Sequence, residues 1–336
     1  MKSLIQKLVE IPSPPGYEHQ ICAAIRAEVE PLADEVRVDA LGNLIASLGA
    51  ARDGNYKVML SAHMDEIGLM VTHIDDLGFV RFLPIGGVNP QSCPGGRVRF
   101  LNGACGVIGL ERLNDSSRVP AFEQMFIDLG SSSRADCPVK VGEVAVFERP
   151  FLDLGKRLIS KAMDDRIGVA VLIETMRLVK EKIISPTQQI IFVFSVQEEV
   201  GLRGASTAAY GLDPDLALAV DVTRSGDTPK GIKMEVSLGR GPAIKVRDGG
   251  MLSDPRLVQW MVDKAEEAGL PYQMEVLEHG TTDARAIQVS RAGVPAGCLS
   301  IPCRYIHSPS EMVDYEDVQN AVRLLAELLQ APLRSE

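Results

Sequence analysis

Several short stretches end an apolar run with residues that bind metals or move protons. "FVFSVQEEVGLRGA" carries Phe192 to Val196 straight into two adjacent carboxylates, Glu198 and Glu199. "KVMLSAHMDEIG" places His63 and Asp65 after such a run, "LALAVDV" reaches Asp221, and "CLSIPCRYIHSPSE" reaches His307. "KAMDDRIG" sets Asp164 and Asp165 where a helical pattern begins. Neighbouring side chains on a strand point to opposite sides, so Glu198 and Glu199 can share one site only if the chain turns there. Two histidines and three or four carboxylates brought together would repel one another without a cation, and they match the N/O ligands of zinc, cobalt or manganese. No thiolate joins the group, which argues against a structural zinc site. One catalytic metal uses about three protein ligands and keeps a position open. The surplus is accounted for by two divalent ions about 3.5–4 Å apart, bridged by one carboxylate and a hydroxide.

Each piece alone has an ordinary structural explanation. "DDR" at a helix start compensates the helix dipole, "EE" after a strand is commonly a solvated turn, and Asp221 can be a cap or turn residue. Their joint placement carries the argument, because in open α/β sheets ligands bind in the crevice beyond the carboxyl ends of the strands. His19 and His73 have no such setting and read as a surface residue and a hairpin residue. His279, in "EHGTTDA", sits on a glycine-bounded loop that can line the same pocket.

The elements that must position these residues are legible from pattern. "QQIIFVFSV", "LALAVDV" and "AGCLSIP" are short continuous apolar runs, as expected of strands buried on both faces. "DDRIGVAVLIETMRLVKEK" is a helix with acids first and lysines last, and "DPRLVQWMVDKAEEAG" one with an Asp-Pro start and a glycine stop. "MKSLIQKLVE" is an amphipathic helix stopped at Pro12 rather than a signal peptide. This alternation predicts an α/β three-layer sandwich around a mostly parallel sheet. From Ile67 to Phe151 the texture changes to short strands and glycine-rich turns: "GLMVTHI", "GFVRFLPI", "RVRFLNG", "GVIGLE", "MFIDLG" and "EVAVFERP". The expectation is a small β-barrel of residues 67–151 inserted into one α/β domain of residues 1–66 and 152–336. Glu111–Gln124 is the expected mobile loop.

Composition bounds the partners. The 336 residues carry a formal charge of -10, with no basic cluster to suit a nucleic acid or an anionic membrane. No apolar run approaches the ~18 residues of a membrane helix. Six scattered cysteines without a C-x-x-C pair read as reduced thiols of a cytoplasmic protein.

The order HxD, (A/M)DDR-x-G, xEExGLRGA, D-V-T and R-Y-x-HSPxE resembles the metallopeptidase family of the tetrahedral (TET) aminopeptidases. That family includes glutamyl, leucyl and deblocking aminopeptidases, and some relatives carry endoglucanase or cellulase labels. The likeness also takes in "IPSPPGYE", "IGGVNPQSCPGGRV" and "GTTDARAIQVSRAGVP", and so spans nearly the whole chain. It implies a metal-dependent aminopeptidase acting on short peptides, with two divalent ions per subunit. His63 and Asp221 would hold one ion, Glu199 and His307 the other, and Asp164 would bridge them. Asp65 would orient the His63 ring, and Glu198 would be the general base. The resemblance further implies that the inserted β domain pairs subunits and that dimers build hollow dodecamers, a dimer being the smaller alternative. One departure stands out: "GTTDARA" puts Arg285 where the family pattern has a small residue. Facing the pocket, Arg285 would favour acidic amino-terminal residues; facing solvent, it would have no bearing on specificity. The other functions weighed are a metal-dependent deacylase of related fold, a catalytically silent assembly protein, and a glycosidase. A glycosidase needs two carboxylates but no histidines beside them, and 5% aromatic content offers few sugar platforms.

Overall fold

The computed structural model of the chain describes residues 1–49, 56–112, 118–181 and 188–330. Its larger sheet has eleven strands. Along one path they run Glu35–Val38, Leu44–Leu48, Gln189–Ser195, Lys57–His63, Leu216–Thr223, Ala296–Arg304, Glu311–Asp314, Arg157–Ser160 and Leu152–Asp153. Ala243–Arg247 and Gln273–Val276 complete it beside Ala296–Arg304. The four middle strands, Gln189–Ser195, Lys57–His63, Leu216–Thr223 and Ala296–Arg304, are parallel to their neighbours within that group. Antiparallel strands extend the sheet on both sides. The carboxyl ends of the four parallel strands therefore share one edge.

The continuous apolar runs are explained by burial on both faces. Alternate residues such as Leu60, Phe192, Leu218 and Leu299 pack with the helices Lys2–Glu10, His19–Val29, Met163–Lys180, Pro255–Glu267 and Tyr315–Gln330. Met59, Ile191, Val193 and Ala217 face the other way, toward the helices Arg203–Leu212 and Asp283–Gln288. That is the three-layer arrangement that period-two alternation predicts. The first helix ends on Glu10, before Pro12. Its last carbonyls are held by the fully buried Arg166, whose guanidinium donates to Leu8 O at 2.6 Å and Ile11 O at 3.2 Å. The charge is not alone: Glu66 lies 3.7 Å away and pairs with Lys161 at 2.7 Å.

Six antiparallel strands between Gly68 and Phe147 form a closed barrel, in the order Gly68–Ile74, Val80–Ile85, Met125–Asp128, Cys105–Leu110, Arg97–Phe100, Val144–Phe147. Closure leaves no unpaired edge, and Leu69, Val71, Phe82, Val98, Ile108 and Ile127 fill the interior. Of the expected mobile loop, residues 113–117 lie outside the described residues. Within its described part, Phe122–Gln124 makes a 3-10 turn and Arg81 donates to Glu123 O at 3.1 Å. Among the described residues no helix is long and apolar enough to cross a membrane.

Candidate active site

The turn after Ser195 decides where the paired glutamates point. Gln197 adopts φ +55°, in the left-handed region, and the chain leaves the strand. Four consecutive backbone N–H groups then donate to side-chain oxygens from the first 65 residues. Val196 N donates to Asn43 Oδ1 at 3.0 Å, and Gln197 N to Glu18 Oε1 at 3.1 Å. Glu198 N and Glu199 N donate to the two oxygens of Asp65, at 3.0 and 3.1 Å. Val196 N is buried and the other three are part-buried, and N–H groups withdrawn from water are costly to leave unpaired, so this clamp holds one backbone path. Asp65, expected to orient His63, has its Oδ1 3.5 Å from the ring nitrogen Nδ1, and both its oxygens also serve the glutamate turn.

Around this turn the expected cluster assembles. His63 ends its strand, Asp221 lies two residues before the end of Leu216–Thr223, and Asp164 opens the Met163–Lys180 helix, joined to Asp165 by a cis peptide. Asp164 stands between the histidines: its Oδ1 is 2.9 Å from His63 Nε2 and its Oδ2 3.2 Å from His307 Nε2. Glu199 Oε1 lies 3.3 Å from His307 Nε2. Glu198 Oε2 and Asp221 Oδ1 lie 3.9 and 4.0 Å from His63 Nε2. Two trios bring their ligand atoms within 4.8 Å of one another: His63, Asp164 and Glu199, and His63, Asp165 and Asp221. Asp165 is fully buried and accepts from His63 N at 3.2 Å and Gly168 N at 2.9 Å. Glu311, not singled out from sequence, accepts from Asp164 N at 3.0 Å and His307 N at 2.8 Å. Its place in "HSPSE", four residues after His307, was the available signal.

The electrostatics fit a cation. Burial, together with Asp221 and Glu199, pushes Glu198 well above the usual carboxylate range; burial together with Asp164 does the same to Asp221. Burial also raises Asp165, reinforced by the Asp221 charge. Burial opposes charging of His307, yet Glu199 and Asp164 outweigh it and raise the imidazole to about 12. Burial would raise Asp164, but His307 and His63 hold it low. Imidazoles that bind protons so tightly, among carboxylates that resist ionisation, mark a place where positive charge is wanted. Glu199 Oε1 is buried without a hydrogen-bond donor, which leaves it open to a metal. His63 with Asp164 and Glu199, and His63 with Asp165 and Asp221, thus fit a divalent ion by residue type and by proximity.

A cavity of about 690 Å³ opens from this centre. Leu202, Leu277, Val289 and Ile306 supply apolar wall, and Arg224, Lys245 and Arg285 are the cations on it. Arg285 faces the cavity while remaining exposed, and its stem packs on Gly250, where a Cβ would come within 2.4 Å of Arg285 Cδ. His279 also lines the opening, with 88% of its side chain exposed. The barrel contributes Gly87, whose added Cβ would lie 2.4 Å from His307 Nδ1, so only glycine fits against that ring.

The chain is similar to known proteins over nearly its whole length. The model of the family described as M42 glutamyl aminopeptidase matches residues 42–324. A lysyl aminopeptidase of Pyrococcus furiosus is 36% identical, the match covering 97% of this chain and 96% of that protein. The structure of an aminopeptidase from the archaeon Desulfurococcus kamchatkensis superimposes with a TM-score of 0.92 at 40% identity, over 98% of this chain and 94% of that one. The TET1 peptidase of Pyrococcus horikoshii, which can assemble into a tetrahedron or a large octahedral shell, gives 0.88 at 33% identity over 98% and 99%.

Proposed function

Because this chain belongs to the M42 glutamyl aminopeptidase family, and is therefore a peptide hydrolase, we propose that it is a dinuclear metal-dependent aminopeptidase that removes amino-terminal residues from short peptides. The observation that carries the two-ion reading is the single carboxylate of Asp164 set between two histidines, at 2.9 and 3.2 Å. His63 and Asp221 would hold one ion, His307 and Glu199 the other, with Asp164 between; zinc or cobalt suits these ligands best, and manganese is compatible. When bound, the pair would supply Lewis acidity, lowering the pKa of a water and polarising the scissile carbonyl. Glu198 takes the proton from the attacking water and returns it to the leaving amine. Asp65 acts on Glu198 and Glu199 through their backbone, holding the base and its neighbouring ligand at their separate angles.

The cavity wall would receive the peptide, with Arg285 and His279 at its rim. We assign residues 1–66 and 152–336 to the catalytic domain and 67–151 to an inserted β domain that pairs subunits. Assembly of related peptidases into closed shells supports a homo-oligomer here, as does the exposure of Leu83 and Val107 on the barrel strands. A cytoplasmic location is consistent with six free cysteines.

The test pairs wild type with Glu198→Gln. Both are stripped of metal, reconstituted with zinc, cobalt or manganese, and offered free-amine and N-blocked dipeptides. The expected outcome is cleavage of free-amine substrates by reconstituted wild type alone. The variant should bind metal equally and lose activity by about 10²–10⁴-fold. Cleavage restricted to N-blocked substrates would replace this reading with a deacylase, and metal binding without any cleavage would leave an assembly protein.

A further inference from the structure

Asp283 is a buried carboxylate that the chemistry above does not use. It is 2% exposed and opens the short helix Asp283–Gln288, after Thr282. Its Oδ2 accepts from Ser61 Oγ and from Ser195 Oγ, both at 2.6 Å, and its Oδ1 has no hydrogen-bond partner. Both serines are fully buried. Ser61 precedes His63 by two residues on the same strand and so on the same face. Ser195 pairs directly opposite His63 in the sheet register and stands three residues before Glu198. One carboxylate oxygen therefore joins the end of the strand that delivers His63 to the end of the strand that delivers the glutamates.

The other end of the link is the substrate cavity. Thr281, Thr282, Arg285, Ala286 and Val289, on or beside the same helix, line it. The surrounding layer is apolar, with Met59, Ile191, Val193 and Ile287 packed together. A hydrophobic residue would pack there at lower desolvation cost than a carboxylate. Short hydrogen bonds to two strand ends provide something packing does not, a fixed distance between the cavity wall and the metal-binding centre.

We propose that Asp283 is a positioning residue, which through Ser61 and Ser195 locks the Thr281–Val289 wall to the strand ends bearing His63 and Glu198. The proposal rests on the aminopeptidase reading only for its kinetic readout. Misplacement of a bound substrate by about 1 Å can cost about 10²-fold in rate. The experiment compares Asp283→Ala, Asp283→Asn and the double variant Ser61→Ala/Ser195→Ala in the full-length protein. Turnover of a free-amine dipeptide, cobalt stoichiometry by calorimetry with cobalt alone, and amide hydrogen exchange are measured on each. The expected result for Asp283→Ala is a fall in kcat of roughly 10–100-fold, with cobalt stoichiometry unchanged and KM moved less than kcat. The amides of 281–289 and 196–201 exchange faster, and those of the barrel do not. Asp283→Asn, whose amide oxygen can accept both hydroxyls, should restore kcat to within a few-fold of wild type. The double serine variant should repeat the alanine phenotype without a buried cavity, and it stands in for Asp283→Ala if that protein does not fold. Wild-type kcat in the alanine and double variants would overturn the proposal, as would an asparagine variant as damaged as the alanine one, or a loss that tracks metal content. If wild type itself cleaves nothing, the aminopeptidase reading fails on its own. The exchange pattern then decides the positioning role, which falls if Asp283→Ala leaves both segments protected.

Discussion

At the scale of single residues, the centre depends on how closely two groups approach. Gly87 carries no Cβ because one would press on the His307 ring at 2.4 Å. Replacing it with alanine should displace His307 while leaving His63 in place. The expected result is one tight metal equivalent in place of two by calorimetry, and a matching loss of turnover; two undiminished equivalents would show that the ring can yield. A second residue-scale expectation concerns pH. Asp227 accepts from Nε and Nη2 of Arg304, at 2.9 and 2.7 Å; that arginine stands three residues before His307. Burial alone would raise this carboxyl, but Arg304, Ser225 and Leu238 N hold it down, from 3.8 to about 2. A depressed carboxyl contributes stability that is present above its unfolded pKa and lost as pH falls toward the folded value. Asp227→Asn should therefore lower Tm by a few degrees at neutral pH, and the gap to wild type should close between 3.8 and about 2. A gap that stays constant across that window would assign the effect to packing.

At the scale of elements, the Val196–Glu199 turn illustrates what a strand end needs in order to present the glutamates proposed for catalysis. Its four N–H groups have left the sheet ladder, and Asn43, Glu18 and Asp65 replace that ladder one bond at a time. Glu18 accepts from Gly16 N at 2.9 Å as well as from Gln197 N, so "IPSPPGYE" is tied to "VQEEV" across nearly 180 positions. Glu18→Ala leaves Gln197 N unsatisfied, at a cost of about 1–3 kcal/mol. Steady-state kinetics should show kcat reduced roughly tenfold with KM little changed, since the base is misaimed while the cavity wall is untouched. Glu18→Gln, which keeps the acceptor, should behave like wild type. Equal losses in the two variants would mean that charge, rather than the hydrogen bond, matters at this position.

At the scale of the whole molecule, the barrel serves both ends of the proposal. It packs Gly86 and Gly87 against Glu199 and His307 on one side and exposes Leu83 and Val107, at 54% and 45%, elsewhere. Apolar exposure of this kind on a closed barrel suits a surface covered by a second copy. Sedimentation or light scattering should find a mass well above the 36.4 kDa of one chain. Leu83→Asp together with Val107→Asp should lower that mass without altering metal stoichiometry. A wild-type monomer would remove the barrel's assembly role and leave the active-site proposal intact.

Local patterns sufficed for the strands and for the residue types at their ends. A run such as Phe192–Val196 must be buried on both faces wherever it lies, and the polar residues that interrupt such runs are visible without coordinates. The six barrel strands and the helices Met163–Lys180 and Pro255–Glu267 were legible for the same reason. The short edge strands were not: Glu35–Val38 alternates valine with charge over only four largely exposed residues, and Leu152–Asp153 has two. Nor were Glu311 and Asp283 legible as supports, or Asp65 as the clamp of the glutamate turn. Each acts on backbone or hydroxyl groups far away in the chain, a bond that depends on distance and leaves no periodic trace. The sequence by itself thus determined which side chains could hold a metal and move a proton. The tertiary structure alone decided which atoms meet, because burial is a property of the local pattern and a hydrogen bond is a property of the packed whole.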